Sequence, residues 1–294
     1  MGGAGGAGAS IAFNLLRGPI PLEVAIVDER ESMVTSHAMD FEQVLEQAPG
    51  SSVQIGGALE DADVIVVTAS APLTVNTSRL TYLAANADIL DALADQLGVG
   101  WGGVLVLVTN PVDPLVTRLQ RRTGIDRRRI VGYSVNDSLR LRTGLARAFG
   151  VRPGSVDAWV IGEHGDACVP LLDRVTVDGE PRTPTDDEAA SALEYLRTWY
   201  ARHVALDSGR SSTWTTGLGV SRMVTAIVED ARELWPASLV LAGEYGIDGV
   251  AVSVPVTVGR GGAEEIHEWD LAEHQAEALR AAADLVRNAV SGLV

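Results

Sequence analysis

Apolar and polar positions alternate along this chain in two rhythms. Short β-branched runs at 24–27, 53–56, 64–68 and 104–109 are nearly continuous in apolar residues. That is the pattern of parallel strands covered on both faces. Between them, 10–16, 39–47 and 80–97 carry apolar residues at helical spacing. The strand–helix–strand alternation predicts an α/β chain built on a doubly wound parallel sheet. Beyond it the rhythm is mixed. A helix at 137–149 ends at Gly150 with Pro153 following, and a strand spans 156–161. Long helices are predicted at 186–203 and 213–234, a strand at 250–258 and a closing helix at 271–286. The change of rhythm near 132–137 divides the chain into 1–134 and 135–294, the second part an α+β domain.

Composition narrows the function classes. No apolar run reaches the roughly 18 residues of a membrane span. A net charge of −16 argues against a nucleic-acid surface, which needs clustered positive charge. All 23 basic residues are Arg, which reads as compositional bias and not as mechanism. The single cysteine, Cys168, excludes an internal disulfide and fits a reducing compartment. It reads as a small buried hydrophobe and not as a nucleophile. No secretory pattern opens the chain, and Gly6 stands where myristoylation needs Ser or Thr, so the expected location is the cytoplasm.

Gly3, Gly5 and Gly8 fit G-x-G-x-x-G ahead of the apolar helix at 10–16. Glycines there permit a tight turn and bring backbone N–H groups to a pyrophosphate at a helix N-terminus. Asp28 ends the strand at 24–27, twenty residues after Gly8. An acid there accepts ribose hydroxyls and repels a 2′-phosphate, which favours NAD over NADP. The fingerprint should follow a strand, yet only Met1 and Gly2 precede it, so the first strand of this Rossmann-type sheet is missing from the sequence. The expectation is a start that falls inside that strand. The rival is a shortened protein with a weakened cofactor site. Higher NAD affinity and melting temperature in an upstream-extended chain separate the two.

Candidate chemistry clusters after strands. Asn110 follows the run at 104–109 and precedes Pro111; it offers both a donor and an acceptor. Arg79 opens the helix running to 97, where a cation opposes the helix dipole; polarising a substrate carbonyl would explain its placement, and a surface ion pair is the plain alternative. Asp137 and Arg140 stand three apart on a predicted helix and share a face. They can pair with each other. Alternatively Arg140 grips a substrate carboxylate bidentately while Asp137 orients His164 and stabilises its imidazolium. His164, in Gly162-Glu163-His164-Gly165-Asp166, suits proton exchange near neutrality. His37, His203, His267 and His274 lack such surroundings.

In this order the landmarks resemble the lactate/malate dehydrogenase family over essentially the whole chain. They are 3–8, Asp28, Ser78-Arg79-Leu80, 109–113, Asp137-Ser138-Leu139-Arg140 and 162–166, with 244–246 and 254–256 resembling the family's later strands. The resemblance implies that His164 is the acid/base on the substrate hydroxyl, supported by Asp137. It implies that Arg140 binds the carboxylate, that Arg79 polarises the C2 oxygen from a mobile loop, and that Asn110 contacts substrate or nicotinamide. It also implies a cis Asn110–Pro111 bond, NAD as cofactor, an L-2-hydroxy or 2-oxo acid as substrate, and a homodimer or homotetramer. The family chooses its substrate with the residue six before Arg79, glutamine for lactate and arginine for malate; here that residue is Leu73. A malate side-chain carboxylate closed against Leu73 would lack its cation. The expectation is therefore a monocarboxylate, with Ser212 also lining the pocket. Malate specificity is the alternative, through another arginine reaching in. A catalytically idle nucleotide-binding relative is the alternative of a different class.

Overall fold

The parallel sheet arrives in two pieces. The computed structural model describes residues 2–72, 79–97, 100–208, 210 and 212–293. In chain order they form α1 (Gly6–Leu16), β1 (Glu23–Ile26), α2 (Glu31–Val44), β2 (Ser52–Ile55), β3 (Val64–Val67), α3 (Arg79–Ala94), β4 (Val104–Leu107), α4 (Val112–Thr123) and β5 (Ile130–Tyr133). The second half adds α5 (Val135–Phe149), β6 (Val156–Gly162), β7 (Cys168–Val177), β8 (Glu180–Pro181), α6 (Asp186–Val204) and α7 (Thr213–Glu229). It closes with β9 (Glu233–Ala242), β10 (Asp248–Gly259), β11 (Gly262–Ile266) and α8 (Glu273–Ser291).

β1 pairs only with β2, in parallel. The second sheet runs β3-β4-β5-β9-β10-β6-β7-β8, with β11 on β10. Its first three strands are parallel and β5 meets β9 antiparallel. Among the described residues no strand joins β1 to β3. What bridges them is the chain start: the Gly3 N–H donates to the Val27 carbonyl, and the Thr68 hydroxyl donates to the Gly2 carbonyl.

β4 shows why the predicted pattern works where it does. Val104 and Val106 enter the core shared with α1, α7 and α8, and Leu105 and Leu107 enter the core shared with α3 and α4. Side chains alternate across a strand, so a run apolar at every position needs cover on both faces. β1 and β2 lack that cover. Ala25 is exposed and Ile55 is 53% exposed, so the expectation of two-face burial does not hold there.

The elements that depart from the predicted pattern include α7, β9, α4, β5 and β7. The helix predicted at 213–234 stops at Glu229, because Asp230 and Arg232 take left-handed backbone and β9 begins at Glu233. Pro236 then lies inside β9, where a helix interior would not tolerate it. α4 was not among the predicted helices, and it carries Pro111 as its N-cap and Pro114 in its first turn. Both sit at the helix start, where the missing N–H would have had no partner. β5 and β7 also escaped assignment. Among the described residues no helix is long and apolar enough to cross a membrane.

Candidate active site

Two helices and a turn converge on His164. β6 ends at Gly162, whose φ of +88° places it in the left-handed region that L side chains avoid, and the chain turns there into 163–166. The turn carries His164 against the first turn of α5. His164 Nδ1 lies 2.5 Å from Asp137 Oδ2, and Arg140 Nη1 donates to Asp137 Oδ1 at 2.9 Å. The two readings of Asp137 and Arg140 therefore coexist: one oxygen pairs with the guanidinium, the other holds the imidazole. The side chains of His164 and Asp137 are only 13% and 10% exposed. At that depth the pair is weakly screened by solvent.

The electrostatics follow. Burial pushes the His164 imidazole toward its neutral form. The charge and hydrogen bond of Asp137, joined by the charge of Asp113, outweigh burial; Arg140 opposes them, and the net shift is upward. With Nδ1 engaged by a carboxylate, Nε2 is the nitrogen left for an outside partner. Arg140 lies with its guanidinium carbon 4.2 Å from the ring centroid of Trp199 on α6, a stacking that fixes the plane of the fork. Trp199 stacks in turn on His203, whose Nε2 lies 3.0 Å from the Arg210 carbonyl oxygen.

Asn110 stands just beyond β4, exposed, with a cis bond to Pro111. Its carbonyl accepts from the buried Asn86 amide on α3 at 2.7 Å, and the Asn86 carbonyl oxygen accepts from the Ala71 N–H at 2.7 Å. Asn86 thus ties the loop after β3 to the loop after β4. Arg79 opens α3, and Leu73 lies outside the described residues. Ser212 is the N-cap residue of α7, next to Thr213, which packs against Gly6 of α1. No hydrogen bond joins Ser212 to the His164 cluster among the described residues.

The glycine loop fits an anion. A Cβ on Gly8 would sit 2.4 Å from the Gly2 carbonyl and 2.7 Å from Gly3 Cα, and one on Gly3 would strike the Ile26 side chain at 2.5 Å. The turn closes only without side chains at both positions. Gly5 is the N-cap of α1; no side chain caps the helix and its first turn holds no acid. Its first N–H groups and its positive dipole end suit a pyrophosphate. Asp28 braces the loop: one carboxylate oxygen accepts the Ala4 N–H at 3.0 Å and the other accepts the Arg30 N–H at 3.1 Å. The Arg30 guanidinium also forks onto both oxygens. The Arg30 hydrogen bond, with the backbone bonds and against partial burial, holds the Asp28 carboxyl down at about 2. Arg30 was not singled out from the sequence, and neither were Asn86, Trp199 or Ser238. Arg30 could have been noticed as a cation two residues beyond the acid.

Cys168 is half-buried on β7, and burial with nearby Asp137 and Glu163 pushes its thiol up to about 12, so it is no thiolate. A cavity of about 430 Å³ opens between α1, α2 and the start of α7, lined by Phe13, His37, Phe41 and Trp214 among others. It holds none of the His164 cluster.

A glycine turn and an acid on the β1–β2 piece, with a carboxylate-steadied imidazole beside an arginine fork after β6 of the larger sheet, is the arrangement of a dinucleotide-dependent oxidoreductase. Comparison with known proteins agrees. Residues 1–132 match the lactate/malate dehydrogenase NAD binding domain, and residues 136–292 match the lactate/malate dehydrogenase alpha/beta C-terminal domain. The malate dehydrogenase of Haloferax volcanii is 33% identical, over 98% of this chain and 96% of that protein. The L-lactate dehydrogenase of Treponema denticola is 31% identical, over 98% of this chain and 95% of that protein. The crystal structure of Cryptosporidium parvum malate dehydrogenase superposes with a TM-score of 0.90 at 25% identity, covering 99% of this chain and 96% of that one. The chain belongs to the lactate/malate dehydrogenase family, and its cofactor is NAD.

Proposed function

We propose that this chain interconverts an L-2-hydroxy acid and its 2-oxo acid, with His164 as the proton carrier. The observation that carries this reading is the 2.5 Å contact of His164 Nδ1 with Asp137, on the same carboxylate that Arg140 engages. When bound, the reduced cofactor would supply a hydride to C2 and the oxidised cofactor would accept one from it. In reduction, protonated His164 gives its Nε2 proton to the carbonyl oxygen as C2 is reduced, and Asp137 stabilises the imidazolium beforehand. In oxidation, neutral His164 takes the hydroxyl proton. Arg140 turns part of its fork from Asp137 to the substrate carboxylate, with Trp199 keeping the guanidinium plane in place. Arg79 polarises the C2 oxygen and Asn110 orients the carboxamide or the substrate. Gly3, Gly5 and Gly8 would hold the cofactor's pyrophosphate, and Asp28 would hold its ribose in place of Arg30.

The substrate we favour is a lactate-like monocarboxylate, because Leu73 offers no cation to a second carboxylate. Malate is the alternative, since relatives of both names share this likeness. NADH absorbance with a panel of 2-oxo acids tests the reading. Pyruvate or a branched 2-oxo acid is expected to show a higher kcat/KM than oxaloacetate. The reverse order overturns the substrate preference, and no turnover with any member overturns the reaction. We place the enzyme in the cytoplasm as a homodimer or homotetramer. Phe13, Met33, Met39, Trp214 and Leu218 stand exposed on α1, α2 and α7 and are suited to burial between subunits. Light scattering behind size exclusion checks the state.

A further inference from the structure

We propose that Asp113 is a positioning residue for His164: from α4 its buried carboxylate seats the His164 backbone and sets a second acidic group, after Asp137, behind the ring. The proposal rests on the reading of His164 as proton carrier.

Asp113 is 1% exposed, on a helix face whose neighbours Val112, Leu115 and Val116 are fully buried. One of its oxygens accepts the His164 N–H at 2.7 Å and the other accepts the hydroxyl of Ser238, itself buried on β9, at 2.6 Å. An acid at that depth destabilises the fold unless something uses its charge. Packing does not require it, because a neutral amide would fill the same space and offer an oxygen to the same N–H. The imidazole of His164 is the nearby group that a buried negative charge stabilises in its charged form; the neighbouring Glu163 carboxylate is opposed by it.

The charged groups acting on the ring are Asp137 and Arg140 from α5 and Asp113 from α4. Glu163 in the turn acts on Asp113, and Asp137, Glu163, Asp166 and Arg197 act on the neighbouring Cys168 thiol of β7. Asp137 and Asp113 raise the imidazole and Arg140 lowers it. Burial lifts Asp113 itself to about 6, against the pull of the Ser238 and His164 hydrogen bonds. Those two hydrogen bonds favour its ionised form against burial, and the ionised form gives the ring one carboxylate on its Nδ1 and a second behind its backbone. Ser238 matters because its hydroxyl keeps Asp113 ionised.

The test follows the His164 ring by NMR through a pH titration of the full-length protein without substrate, assigned by the signal lost in His164→Gln. It is paired with the pH profile of kcat/KM for 2-oxo acid reduction. Asp113→Asn keeps an oxygen for the His164 N–H and removes the charge. Its ring midpoint is expected to fall by about one unit. Reduction needs the protonated ring, so the basic limb of the profile moves down by the same amount, while the KM for NADH stays unchanged. Ser238→Ala makes Asp113 neutral to higher pH and is expected to shift the ring the same way by less. Wild-type ring midpoints in both variants overturn the proposal. If melting curves show Asp113→Asn unfolded, Ser238→Ala alone decides. A shifted ring in a chain that reduces no 2-oxo acid supports the coupling and overturns the reaction assigned above.

Discussion

β4 and β5 are buried at every position, whereas β1 and β2 together bury only Ile26 fully. Both pairs are parallel strands of one alternating pattern, and both end near functional loops. The loops after β4 and β5 lead into α4 and α5, which carry Asp113, Asp137 and Arg140; those elements pack in contiguous cores. The glycine loop and Asp28 hang on a two-stranded piece tied to the rest through α1 and a few hydrogen bonds at the chain start. On the function proposed above, substrate chemistry is held on buried elements and cofactor binding on a less buried piece. Local stability of this kind tracks buried apolar contact and paired backbone.

Substitutions on the two sides should therefore break different things. The largest effect is expected from His164→Ala, with turnover falling by on the order of a thousandfold and NADH affinity, read by fluorescence titration, unchanged. Near-wild-type rates would remove His164 from the mechanism. Next comes Arg140→Lys, which keeps the charge and loses the planar fork. The KM for the 2-oxo acid should rise roughly ten- to a hundredfold with little change for NADH, and equal losses for both ligands would erase the division between the two sides. The smallest effect belongs to the cofactor side. Asp28→Asn should lower the melting temperature by roughly 2 °C, since Arg30 is half-exposed and solvent screens the pair, and should weaken NAD without altering the His164 pH profile. The sign is fixed by the depressed carboxyl: its contribution is present above the ordinary value of 3.8 and is lost as pH falls toward about 2. Acid melting curves of wild type should therefore converge on those of Asp28→Asn over that interval.

Much of this molecule was legible along the chain. Helices α3, α5, α6 and α8 and strands β3, β4, β6 and β10 lie where periodicity and caps placed them, because each has a long or fully apolar pattern. Residues 230–234 read as the end of a helix because one apolar run serves both α7 and β9, and only the left-handed Asp230 and Arg232 divide it. At the site, His164, Asp137 and Arg140 were legible through residue type and spacing. Asp113 stood inside a run that was noticed but was given no task, since a lone acid on a helix says nothing of what lies across from it. Ser238 lies beyond the predicted helix, in a stretch whose pattern pointed to no element.

Residue order by itself determined the α/β class, the division of labour between a glycine turn and a histidine turn, and the identity of the groups able to move a proton and hold a carboxylate. Those are properties of local pattern and side-chain chemistry. Only the tertiary structure decided which oxygen of Asp137 serves which partner, that Trp199 lies under Arg140, that Arg30 occupies Asp28, and that Asp113 reaches His164 across 51 residues. Such pairings depend on packing between distant elements, and the distances and burial that set their strength exist only once the sheet has assembled.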